Sequence, residues 1–261
     1  FFRINLYGLP MLIFTNLVIG IGTYEFYKMI KILGKEVYDK FGIIVAITIP
    51  NLVYLSNRSS YLEQKLITVV LIVVTIFMLT YRVFKNQIKG TLEKVSYTLL
   101  GIIYVSVFFS QIINLYFLGA VFPLILQVLV WVSDTSAGIV GVTIGRKFFK
   151  NGFTEISPKK SVEGALGSII FTGLAFMLIV VLYIEKINGT TVGEVFLSFI
   201  IGAIISVVAQ IGDLIESLFK RECGVKDSGT ILMGHGGVLD RFDSMILVLP
   251  FVTMVLYFFH L

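Results

Sequence analysis

Apolar residues in this chain come in long unbroken runs. Residues 4–24, 41–57, 66–81, 164–184, 195–212 and 244–261 contain no Asp, Glu, Lys or Arg, and neither does 95–133. A helix needs about 20 mostly apolar residues to cross the hydrocarbon of a bilayer. Six of the runs offer one crossing each, and 95–133 is long enough for two, with the polar patch QIINL followed by GAVFP marking the turn between them. The pattern predicts an all-α polytopic membrane bundle of eight spans joined by short polar loops. The opening, FFRINLYGLP, lacks a methionine and a basic flank for a signal sequence. It fits a sequence that begins inside a longer protein, with Phe1 and Phe2 the remnant of one further N-terminal span.

Composition excludes a water-soluble reading. The chain has 261 residues, a mean hydropathy of +0.94, 57% hydrophobic residues and only 14% charged ones, too few to cover a soluble domain of this size. The basic residues then set an orientation. Lys28, Lys31, Lys35 and Lys40 share one loop; Arg82, Lys85, Lys89 and Lys94 the next but one; Arg146, Lys147, Lys150, Lys159 and Lys160 a third; Lys220, Arg221, Lys226 and Arg241 a fourth. The intervening loops hold only Arg58 and Lys65, none, and Lys186. By the positive-inside rule the basic loops face the cytoplasm. The net charge of +5 is thereby gathered where anionic lipids and metabolites are found, and no motif accompanies it that would point to nucleic acid. Cys223 is the only cysteine, so neither an intrachain disulfide nor a multi-cysteine metal site is available.

A shift in composition at Trp131 divides the chain into N-terminal transmembrane helices, 1–130, and a C-terminal transmembrane part with cytosolic loops, 131–261, where acids and glycines enter the helix ends. Three clusters carry that part. In WVSDTSAGIVGVTIGRK, Gly138, Gly141 and Gly145 form a small-residue face for helix packing. Packing does not explain Asp134, an ionisable group within a span and so a functional candidate. In ISPKKSVEGALGS, Ser161 with Glu163 two residues on is close to a helix N-terminal signature, while Lys159 and Lys160 suit either lipid headgroups or the phosphates of a substrate. The third cluster starts where the 195–212 span ends. Asp213, Glu216 and Lys220 share a helix face, then come Arg221, Lys226, Asp227 and HGGVLDRFDS, in which Asp240 and Asp243 are three apart. Any one of these is ordinarily a solvated cap or an interfacial ion pair. Together, acids from several spans at the cytosolic side with basic residues between them suit hard cations and phosphates. His235, alone between glycine-containing turns, is either structural or an orienting group.

The stretch SLFKRECGVKDSGTILMGHGGVLDRFDS, Ser217 to Ser244, closely resembles the signature of the phosphatidate cytidylyltransferase family, also called CDP-diacylglycerol synthases. Every position of its pattern is filled: Ser-x-x-Lys-Arg, Lys-Asp, and His-Gly-Gly-x-x-Asp-Arg-x-Asp. WVSDTSA, SPKKSVEG and GDLIESLFKR fit as well, so the likeness covers residues 131 to 244; Gly138 departs, standing where relatives often carry an aromatic residue. The resemblance implies that CTP and phosphatidate are joined, with Mg²⁺ as one or two cations, to give CDP-diacylglycerol and pyrophosphate in phospholipid synthesis. It implies an enzyme of the bacterial inner (plasma) membrane, among membrane lipids, with its site facing the cytoplasm. Asp134, Asp213, Asp240 and Asp243 are then the candidate metal ligands. Lys220, Arg221, Lys226, Arg241 and His235 are the candidate catalytic groups, and Lys159, Lys160, Ser217, Gly236 and Gly237 the candidate substrate contacts.

Other readings differ in what they require. A CTP-dependent polyprenol or lipid kinase would use similar residues and transfer the γ-phosphoryl group. A cytidylyltransferase for another phospholipid is closer still. A cation transporter would place its acids near the bilayer midplane in both halves, whereas here they gather in one half and at one face. A homodimer is compatible with each of these readings.

Overall fold

A computed structural model describes residues 7–59, 65–149, 152–188, 191–231, 234 and 236–259. In chain order the helices are α1 (Leu9–Ile32), α2 (Asp39–Arg58), α3 (Lys65–Phe84), α4 (Thr91–Gly101), a π-helical segment (Ile102–Val107), α5 (Gln111–Leu118), α6 (Phe122–Thr143), α7 (Val162–Asn188), α8 (Val192–Glu222) and α9 (Leu239–Phe258). There is no β-strand among the described residues, only an isolated antiparallel bridge between Gly152 and Ser161. With α4, the π segment and α5 forming one continuous span, Thr91–Leu118, eight helices are long and apolar enough to cross a bilayer. The number and order agree with the sequence reading, and the turn in the longest apolar run falls at Gly119, as QIINL–GAVFP predicts. This is an integral membrane protein. The 31 residues of α8 rise about 46 Å at 1.5 Å each, against about 30 Å of hydrocarbon. Its charged end, Asp213 to Glu222, therefore stands outside the apolar layer.

The chain forms two compact units. One comprises Phe1–Phe122, Lys220–Phe242 and Val252–Leu261; the other comprises Pro123–Phe219 and Asp243–Phe251. The chain thus changes unit several residues before the compositional shift at Trp131, and two later stretches group with the N-terminal helices.

In the first unit, Tyr27 of α1 lies against glycines of two neighbours. A Cβ on Gly42 of α2 or Gly101 of α4 would come within 2.3 or 2.4 Å of its side chain. Its hydroxyl donates to the Thr98 carbonyl at 2.7 Å, and Ser106 of the π segment donates to the Ala46 carbonyl at 2.6 Å. In hydrocarbon such groups have no water to turn to, so these bonds hold α1, α2 and α4 in register.

The second unit packs through small residues, which let transmembrane backbones approach. A Cβ on Gly164 of α7 would stand 2.7 Å from the Ala137 carbonyl of α6, and one on Gly202 of α8 would stand 2.8 Å from the Thr172 carbonyl of α7. One buried hydroxyl from each helix closes a triangle: Ser133–Ser168 at 2.8 Å, Ser133–Ser206 at 3.0 Å and Ser168–Ser206 at 2.8 Å. Interhelical bonds of this kind contribute about 0.6 to 2 kcal/mol.

Candidate active site

The second unit builds a cavity where α6, α7 and α8 meet, its wall largely apolar and set with acids and lysines. Ser161 caps α7, its Oγ accepting the Gly164 N–H at 3.1 Å, as the SVEG signature predicts. Glu163 Oε1 accepts the N–H groups of Phe148 and Phe149, each at 2.9 Å, and ties the connection after α6 to the first turn of α7. Lys159 and Lys160 are thereby fixed just ahead of that turn. The cavity has a volume of about 350 Å³, and its lining includes Asp134, Gly138, Lys159, Lys160, Gln210 and Asp213. Gly138 leaves open space: nothing lies within 4 Å of where its Cβ would be.

Inside the cavity Lys160 Nζ donates to Asp213 Oδ2 in a partly exposed ion pair. Ser217, one turn on, reaches Asp213 Oδ1 at 3.4 Å. Asp134 lies within the electrostatic reach of Asp243, Asp213 and Lys160. Asp243 is brought in by a close helix crossing: a Cβ on Gly212 would stand 2.9 Å from the Asp243 carbonyl and 3.0 Å from Ser244 Cα. No side chain but hydrogen fits on α8 there, and Gly212 immediately precedes Asp213. Six of the sequence candidates thus belong to one constellation: Asp134, Lys159, Lys160, Asp213, Ser217 and Asp243.

Among the described residues no group of three or more His, Cys, Asp or Glu side chains converges as a ready-made metal cage. The donor set nonetheless suits Mg²⁺. That ion is commonly held by one or two carboxylates and completes its octahedron with water and substrate phosphate oxygens. Asp134 and Asp213 on one open cavity offer that many.

The first unit holds the connection from α8 to α9. Lys220 Nζ donates to Asp240 Oδ1 at 2.7 Å, with the two side chains only 13% and 12% exposed. Asp240 Oδ2 accepts three more bonds, from Ser228 N–H at 2.9 Å, Ser228 Oγ at 2.9 Å and Gly237 N–H at 2.7 Å. Both oxygens are therefore engaged in shaping the turn. Gly236 has a left-handed φ of 82°, and a Cβ on it would stand 2.8 Å from Asp240 Oδ2. Gly236 and Gly237 thus stand in this turn, while Arg221, Lys226 and Arg241 are exposed around it. His235 lies outside the described residues. Glu216, on the face shared with Asp213 and Lys220, is fully buried.

One acid of this unit escapes the sequence reading. Glu25 of α1 is buried against the same turn, though its partners lie more than 200 residues away in the chain. The available signal was an acid one residue beyond the 4–24 apolar run.

Comparison with known proteins bears on the chain as a whole. The profile of the cytidylyltransferase family matches residues 1–259. The chain is 32% identical over 252 residues to a phosphatidate cytidylyltransferase of Bacillus subtilis (strain 168), covering 94% of this chain and 89% of that one. It is 34% identical over 251 residues to the phosphatidate cytidylyltransferase of Staphylococcus saprophyticus, covering 95% and 90%. It is 32% identical over 249 residues to that of Staphylococcus aureus (strain COL), again covering 95% and 90%.

Proposed function

We propose roles for these residues from the premise that the chain belongs to the cytidylyltransferase family. The enzyme transfers the cytidylyl group of CTP to phosphatidate, giving CDP-diacylglycerol and pyrophosphate. A phosphate oxygen of phosphatidate forms a bond to the α-phosphorus of CTP, and the bond from that phosphorus to the bridging oxygen of the β-phosphate breaks. Both reactants are polyanions, so positioning and charge neutralisation are the main tasks. The observation that carries the reading is the cavity in which Asp134 and Asp213 face Lys159 and Lys160.

Asp134, Asp213 and Asp243 are assigned to hold Mg²⁺, as one or two ions. Bound there, the cation would offset the charge of the triphosphate and stabilise the departing pyrophosphate. Lys159 and Lys160 are assigned to phosphate oxygens. With a cation held at Asp213, the ammonium of Lys160 would be free to turn to a substrate phosphate. The phosphate nucleophile is competent near neutral pH, so no strong general base is required. In the first unit, Arg221, Lys226 and Arg241 are assigned to phosphate contacts, and the Gly236–Gly237 backbone to the close approach of a phosphate.

The substrates dictate sidedness: CTP comes from the cytoplasm and phosphatidate from the bilayer, with its acyl chains remaining among the membrane lipids. We place the basic loops and the site on the cytoplasmic side of the bacterial inner membrane, in accord with the distribution of lysine and arginine. Cys223, just beyond α8, reports on this. It is 5% exposed, and burial, together with the charge of Glu222, pushes its thiol pKa up. Only the thiolate is nucleophilic. A membrane-impermeant maleimide is expected to label Cys223 slowly at pH 7 in inverted vesicles, faster as pH rises, and at an ordinary rate after unfolding in detergent. Labelling in sealed right-side-out cells would overturn the orientation.

The activity is tested by following small products from purified protein. Pyrophosphate release should need phosphatidate, CTP and Mg²⁺ together. Release of CDP instead would identify a γ-phosphoryl transfer to lipid and contradict the reading.

A further inference from the structure

We infer that Glu25 is a positioning residue, holding the turn before α9 in its working shape from a helix at the other end of the chain; the inference rests on the reaction proposed above. Glu25 is 1% exposed. Its Oε1 accepts the Val238 N–H at 3.1 Å, and its Oε2 accepts the Leu239 N–H at 2.9 Å and lies 3.3 Å from the Ser228 hydroxyl, whose single proton it shares with Asp240. Val238 and Leu239 are the N-cap and first residue of α9, where backbone N–H groups have no partner within the helix. Such positions are usually capped by a nearby Ser, Thr, Asp or Asn, yet at Val238 no side-chain cap bond forms. A glutamate from α1 fills the role instead.

The turn is moulded around that side chain. A Cβ on Gly229 would stand 2.3 Å from Glu25 Oε1, and one on Gly237 would stand 2.5 Å from Oε2. Ser228 bridges the two acids, its hydroxyl lying 3.3 Å from Glu25 Oε2 and 2.9 Å from Asp240 Oδ2. Glu25 therefore sets Ser228, Gly237 and the start of α9, and through them Asp240 and Arg241. It touches neither substrate, so its effect should fall on how well the turn is formed for the reaction.

Glu25→Gln keeps the shape but turns an NH₂ toward one of the two backbone donors. Per folded molecule, kcat is expected to fall about ten- to a hundredfold, while KM for CTP and for phosphatidate stays within about threefold. Gly229→Ala, which displaces the Glu25 carboxyl without touching it chemically, should show the same split. The double variant should be no worse than the poorer single one, because both changes act on one contact. Wild-type kcat in Glu25→Gln, a rise of KM alone, or activity lost only in proportion to lost folded protein would each overturn the inference, as would multiplying defects in the double variant. Should Glu25→Gln not be recovered folded, the kcat–KM split of Gly229→Ala decides by itself. A wild-type protein that makes no cytidine-containing lipid would instead sink the proposed reaction, which separates the two failures.

Discussion

Asp213→Asn is expected to abolish almost all turnover, by about a thousandfold, while leaving the thermal unfolding of the detergent-solubilised protein within about two degrees of wild type. A thousandfold corresponds to about 4 kcal/mol of activation free energy, in the range expected when a carboxylate that holds a cation against a transferring phosphate loses its charge. The small effect on stability follows from exposure. The Lys160–Asp213 pair has side chains 33% and 27% exposed, and ion pairs open to solvent contribute about 0 to 1 kcal/mol. The same change should raise the Mg²⁺ concentration for half-maximal activity, because one of the two acids lining the cavity no longer binds as an anion. Near-normal kcat at saturating Mg²⁺ would remove Asp213 from the metal set.

Asp240→Asn should behave differently, and the difference assigns its role. Its pair with Lys220 is nearly closed to solvent, and breaking a buried pair by removing one partner costs about 3 to 5 kcal/mol. The low end applies here, because the amide oxygen can still accept from Ser228 and Gly237. The cost is the loss of the carboxylate that Lys220 pairs with at this turn. About 3 kcal/mol should lower the unfolding temperature by several degrees and, by loosening the turn around Gly236 and Gly237, reduce kcat by about a hundredfold. The sequence reading expects Asp240 to be a metal ligand. If it is, Asp240→Asn will unfold like the wild type and show a raised Mg²⁺ requirement; a lowered unfolding temperature with an unchanged Mg²⁺ requirement makes Asp240 the organiser of the turn.

The sequence and the structure agree where one physical rule dominates. Hydrocarbon demands long charge-free runs, so the spans could be read off the charges, and the cap of α7 was legible because SVEG satisfies its own backbone locally. Asp134 stood out because an acid inside a span is costly. What was not legible depends on partners distant in the chain. Ser133, Ser168 and Ser206 look like any serines until three helices bring them together. The π segment at Ile102–Val107 interrupts an apolar run with no proline or glycine within it to mark it. The glycines after Asp134 suggest one packing face, yet Gly138 opens onto the cavity while Gly164 and Gly167, on the opposite helix, make the close approach to α6. Asp240 reads as a ligand beside Asp243, and only the folded turn reveals its partners at Lys220, Ser228 and Gly237.

Tracing label into lipid distinguishes transfer of the nucleotidyl group of CTP onto phosphatidate at the acid- and lysine-lined cavity from every other outcome. Purified protein would be given phosphatidate, Mg²⁺ and CTP labelled in the cytosine ring, at the α-phosphate or at the γ-phosphate, with wild type and Asp213→Asn run side by side. Cytosine and α-phosphate label are expected to enter the lipid in equal amounts, γ-phosphate label to leave as pyrophosphate, and Asp213→Asn to transfer almost none. Entry of γ-phosphate label into the lipid without cytosine, or equal transfer by Asp213→Asn, would contradict it.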